Sequence, residues 1–101
     1  MRRFRVEDQS MLPALHPGQG LIAIRWGRRR PGQIRVVRHP RAEMWIVKRL
    51  SHRVPGAGRV DGEPWIVTAD NSAVGVDSRV LGAIDMRDSW LVVVAVPRRW
   101  M

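Results

Sequence analysis

The stretch MWIVKRL, Met44 to Leu50, decides the fold. Successive side chains of an extended chain point to opposite faces, so Ile46, Lys48 and Leu50 share one face and Trp45, Val47 and Arg49 the other. Branched and aromatic side chains of this kind favour strand over helix. The same signature recurs at Leu21 to Trp26, Gln33 to Arg38, Trp65 to Thr68 and Trp90 to Val96. Between these segments lie HPGQG, RRRPGQ, HPRAE, VPGAG and VDGEP, each with proline or glycine where a strand must stop or reverse, and Asp61-Gly62 is a tight-turn dipeptide. The pattern predicts a small all-β domain that occupies residues 1–101 as one unit. Very little helix is expected: about a turn at Met11 to Leu15, where Pro13 is tolerated only in the first turn. No internal repeat, low-complexity tract or linker interrupts the pattern.

Composition bounds what such a domain can do. A chain of 101 residues, 45% hydrophobic, suits a single modest core. There is no cysteine, which excludes disulfides and thiolate metal sites and leaves packing to supply the stability. A formal net charge of +9 attracts polyanions, anionic lipid or acidic proteins at long range. The arginine clusters at Arg2, Arg3 and Arg5, at Arg28 to Arg30, and at Arg98 and Arg99 read first as solvated surface. The longest apolar run, Leu91 to Val96, is strand-sized and far from the roughly 18 to 20 residues that cross a bilayer. The opening MRRFRVEDQ lacks the apolar segment of a secretory signal, so the chain is expected to be soluble. His16, His39 and His52 each lie in or beside a turn without metal-ligand spacing, and no metal site is expected.

One residue stands out chemically. Lys48 is the single lysine among 18 lysine and arginine residues. Arginine stays protonated everywhere, whereas a lysine moved into an apolar site loses its proton far more easily and can act as a base. Lys48 lies between Ile46 and Leu50 on its face. The alternative is an arginine-biased composition that leaves one lysine snorkelling to the surface.

The second half of a catalytic pair is on offer at DQSMLPALHPGQG, residues 8–20. Here Ser10 precedes Met11 and Pro13 on a short, punctuated segment suited to a sharp exit from extended chain. A serine hydroxyl is a weak nucleophile until a base takes its proton, and Ser-Lys pairs do this without histidine. A third segment, ADNSAVGVDSR at 69–79, follows directly on the apolar WIVT. It supplies Asp70 and Asn71, then Asp77, Ser78 and Arg79, although DNS and DSR are also ordinary turn sequences.

In this order the three segments resemble the type I signal peptidase superfamily of serine-lysine proteases. The family's nucleophile segment, roughly V-x-G-x-S-M-x-P-T-L-x-x-G-D, is matched by VEDQSMLPALHPGQG from Val6 to Gly20. Its PGD-I-V-V strand is matched by PGQIRVV at Pro31 to Val37, and its lysine element by VKR at Val47 to Arg49. Its closing G-D-N and S-x-D-S-R elements correspond to Ala69-Asp70-Asn71 and Asp77-Ser78-Arg79, followed by Gly82. Within the superfamily the compact layout is most similar to the maturation proteases of nickel-type superoxide dismutase.

The resemblance implies a signal-peptidase-like or LexA-like, β-barrel-type catalytic domain and a cytoplasmic serine endopeptidase. Ser10 would be the nucleophile and Lys48 the general base. Asp8, Met11, Asp70, Asn71, Asp77, Ser78 and Arg79 would form the oxyanion site and its support, with the Ser10 N–H as an oxyanion donor. It implies no cofactor, and a precursor protein partner, the nickel superoxide dismutase proform, whose leader is removed; the nickel belongs to the substrate. Some positions depart from the pattern. Asp8 stands where the family has Gly or Ser beside the oxyanion hole, and Gly75 where a serine orients the lysine, so that either activity survives on a poorer support shell, or Ser72 or Ser78 substitutes, or the chain is a weakened or inactive relative. Gln19, Gln33 and Ala69 replace the usual Asp, Asp and Gly.

Three rivals stay open. One is an anchor-less fragment or an inactive relative of signal peptidase I, and another is a LexA-like self-cleaving domain, which VKR and DSR fit less well. The third is a basic nucleic-acid-binding β-domain using five Trp and seventeen Arg. Placement argues against nucleic acid, because Trp26, Trp45, Trp65 and Trp90 fall in or at the ends of strands, where core packing or barrel closure explains them.

Overall fold

The computed structural model describes residues 1–25, 28–54, 64–71, 73 and 82–96. The described residues are all-β: β1 (Arg2–Arg5), β2 (Gly20–Ile24), β3 (Ile34–Arg38), β4 (Trp45–Arg53), β5 (Pro64–Thr68), β6 (Ile84–Asp85) and β7 (Trp90–Val96). They form one antiparallel sheet in the order β1-β2-β7-β3-β4-β5-β6. The expected strands are present with small shifts in their ends: β4 runs on to Arg53, and β2 stops at Ile24. Trp26, the expected end of that strand, lies outside the described residues. The single α-type turn at Met11 to Leu15 is there, closed by the Leu15 N–H donating to the Met11 carbonyl at 2.9 Å.

Barrel closure is not seen. Among the described residues the sheet is open, with β1 and β6 at its edges. β6 contributes only two residues, too few to pair along β1. The β1 edge reads RRFR, and charged side chains on an edge strand discourage pairing with a further chain.

Register sorts the apolar side chains onto two faces. Val37 opposes Ile46, Leu50 opposes Val67, and Trp65 opposes Ile84, so these share a face, and with Met86 they make one core cluster. Val36 opposes Val47 and Trp90, which places those three on the other face. There Val6, Met11, Leu15, Leu21 and Val36 make a second cluster, flanked by Phe4, Trp45, Val47, Trp90 and Val92. Extra residues in β7 and β4, where the registers shift at Ile22/Ala23 and Leu50/His52, are the kind of bulge that sharpens local twist.

The segment between β1 and β2 is a closed loop rather than a loose connection. Val6 N–H donates to the Gln19 carbonyl at 2.9 Å and Gly18 N–H donates to the Val6 carbonyl at 2.8 Å, which pins the mouth of the loop. Gly18 sits at φ 88, left-handed backbone that favours glycine, and so the turn in HPGQG needs it. Inside the loop, buried Val6, Met11 and Leu15 fasten the chain to the second core. The loop therefore presents Ser10 from a fixed base.

Candidate active site

Ser10 and Lys48 are both withdrawn from solvent, at 4% and 3% exposure. Ser10 is held through its backbone. Asn71 N–H donates to the Ser10 carbonyl at 2.8 Å, and the Asn71 side-chain amide donates to the Gln9 carbonyl at 3.1 Å. Asn71 follows shortly on β5, the strand paired with β4. On β4, Arg49 opposes Thr68, the last residue of β5, and Lys48 lies one position further along towards the chain that leads to Asn71.

A charged clasp reinforces this corner. Arg49 Nε and Nη2 donate to the two Asp70 carboxylate oxygens at 2.8 and 2.7 Å, a bidentate pair, and Arg49 Nη1 donates to the Gly32 carbonyl at 2.8 Å. The hydrogen bond to Asp70, together with that residue's negative charge, pushes the Arg49 guanidinium above its ordinary value against the opposing effect of burial. Arg49 is thus the tie between the lysine element and the Asp70-Asn71 element. Asn71 in turn ties to the serine element, so three segments distant in sequence meet at the end of β5.

Lys48 has a neighbour that sequence reasoning did not single out. Arg35 directly opposes Lys48 in the β3–β4 register, and so shares its face, and it is 0% exposed. Arg35 Nε donates to Ser89 Oγ at 2.9 Å, Nη1 donates to Gln33 Oε1 at 3.2 Å, and Ser89 Oγ donates on to the Met86 carbonyl at 2.7 Å. Two basic side chains therefore lie buried side by side. Of the two, arginine holds its proton in any protein setting, and burial beside a like charge disfavours the charged form of the lysine. The one visible signal was an arginine interrupting the apolar run of PGQIRVV.

Asp8 lies directly beside the nucleophile segment's Ser10. Its carboxylate accepts the Ser10 N–H at 3.0 Å, which occupies the donor that the family resemblance assigns to the oxyanion. Met11 is wholly buried in the core opposite the Lys48 face and acts as an anchor of the segment. Asp77, Ser78 and Arg79 lie outside the described residues, as do Ser72 and Gly75. A cleft of about 660 Å³ lined by residues of the chain after β3, among them His39 and Pro40, and around β6, among them Ile84 and Arg87, holds neither Ser10 nor Lys48.

Among the described residues no helix is long and apolar enough to cross a membrane. Comparison with protein-family models, with curated proteins and with solved structures finds no match for this chain.

Proposed function

We propose that this chain is a cytoplasmic serine endopeptidase that works through a Ser10–Lys48 dyad and removes a short leader from a precursor protein. The observation that carries this reading is the burial of the single lysine beside Arg35, on an element joined through Arg49, Asp70 and Asn71 to the buried Ser10. Burial and a neighbouring positive charge both favour a neutral amine, the form a general base requires. The ordered sequence segments supply the protease class and, by the same resemblance, the nickel superoxide dismutase proform as substrate.

In the proposed cycle Ser10 Oγ attacks the scissile carbonyl carbon while Lys48 Nζ takes the hydroxyl proton. Collapse of the tetrahedral intermediate breaks the C–N bond, the same proton passes to the departing amine, and an ester to Ser10 is left. Water then attacks that ester, Lys48 again accepts the proton, and the released Ser10 oxygen recovers it. The oxyanion calls for backbone donors. With the Ser10 N–H engaged by Asp8, bound substrate has to displace that carboxylate before this donor can hold the anion.

The test is leader removal from purified dismutase precursor, followed by mass spectrometry. The wild-type chain should cleave it, whereas Ser10→Ala and Lys48→Met should each reduce the rate by about 10³-fold or more. Cleavage that persists in both variants excludes the dyad. Salt-sensitive binding of nucleic acid without any peptide cleavage would favour the rival class.

A further inference from the structure

The tryptophans divide into two kinds. Trp65 is 4% exposed and belongs to the core, as the sequence implied, but Trp45 and Trp90 are only half-buried and rest on the second core cluster from outside. Phe4 lies between them, edge-on to both, with ring centroids 5.6 Å from Trp45 and 6.0 Å from Trp90. Arginines cover this group. The Arg2 guanidinium carbon is 5.0 Å from the Phe4 ring centre, 5.2 Å from Trp45 and 5.9 Å from Trp90. Arg38 lies 4.6 Å over Trp45, and Arg25 lies 5.5 Å over Trp90.

The contacts therefore run Arg38, Trp45, Arg2, Trp90, Arg25, a row of alternating cations and rings. Structures carry about one significant cation–π pair per 70 to 80 residues, so this clustering on three rings exceeds what scattered surface arginines produce. All three arginines are exposed residues. Arg25 touches Asp88 at 3.4 Å, with both side chains more than half exposed, which leaves that pair open to exchange. Because both indoles are half-buried and pack against the second core cluster, they lie close to the surface rather than projecting from it. Such rings suit stacking with a flat partner better than insertion among acyl chains.

We infer that this row is a platform for single-stranded nucleic acid, with bases stacked on guanidinium planes that the rings back from beneath and phosphates held by Arg2, Arg25 and Arg38. Bases stack on arginine planes as well as on aromatic rings, and such surfaces bind without reading sequence. The net charge of +9 supplies long-range attraction for the same partner. The inference stands apart from the protease reading, because none of these residues belongs to the Ser10–Lys48 corner.

The experiment is fluorescence anisotropy of a labelled oligothymidylate of roughly 16 nucleotides, titrated with full-length chain between about 50 and 200 mM salt. Arg2→Gln/Arg25→Gln/Arg38→Gln should weaken binding by about tenfold or more and flatten the log–log salt dependence by about 2, since each phosphate no longer neutralised removes ~0.7 from the slope. Replacing the same three by lysine should keep the salt dependence and still lower affinity, since the planar group is gone. Arg30→Gln/Arg41→Gln/Arg53→Gln removes equal charge elsewhere and should leave most of the affinity. Equal losses in the two glutamine variants, or row-dependent binding to phosphatidylserine vesicles with none to the oligonucleotide, overturns the inference.

Discussion

Asp8 is the residue whose chemistry runs against the proposed activity. Its carboxylate accepts the Ser10 N–H at 3.0 Å and sets a negative charge where a second one has to develop. A missing oxyanion donor costs about 10²- to 10³-fold, so Asp8→Gly, which releases the Ser10 N–H, should raise the cleavage rate by up to about 10²-fold. An unchanged or lower rate in single-turnover assays would mean that the Asp8 hydrogen bond instead positions the serine. At this scale the sequence was unevenly legible. Lys48 was identifiable because it is alone in its type and flanked by Ile46 and Leu50 on its face. The burial of Arg35 was not, because arginine reads as surface and its partner Ser89 lies 54 residues away. The Asp8 hydrogen bond was also hidden, since it depends on the backbone path of a loop that Val6 and Gln19 close.

At the scale of elements, the connection between β4 and the end of β5 holds the candidate site together. It rests on the Arg49–Asp70 pair, whose side chains are 33% and 16% exposed, and on Asn71 beyond it. Asp70→Asn removes a charge-assisted bidentate bond and should destabilise the fold by about 1–3 kcal/mol in urea unfolding. Arg49→Lys should cost nearly as much, because an ammonium cannot span both carboxylate oxygens and the Gly32 carbonyl. Full stability in both variants would show that the clasp is dispensable. Five strands were legible because their apolar residues alternate or run unbroken between proline and glycine. β1 and β6 were not: RRFR carries a single apolar residue, and Ile84–Asp85 is too short to show a period. Barrel closure, which the resemblance implied, is not seen among the described residues, and it was not legible because closure depends on pairing between edges that the pattern within single strands does not encode.

At the scale of the whole molecule, composition makes the central claim measurable. The chain has no cysteine and no tyrosine, so above the range of the α-amino group Lys48 is the one side chain expected to titrate before the arginines. A lysine that is neutral when folded has its value depressed relative to the unfolded chain. Between the depressed value and about 10.4 the unfolded state then binds more protons, so stability rises with pH, by at most about 1.4 kcal/mol per unit. It falls as pH drops through that window. Urea midpoints should accordingly increase from about pH 8.5 to 10, whereas a lysine charged in both states gives a flat line.

The most direct measurement follows the amine itself. Labelling lysine with carbon-13 gives a single ε-methylene resonance, because there is only one lysine to label. In the folded protein that resonance should titrate well below about 10.4, and urea should return it to the ordinary value. A folded-state midpoint at or above about 10.4 would leave position 48 with an ammonium at working pH, and the serine at position 10 with no base.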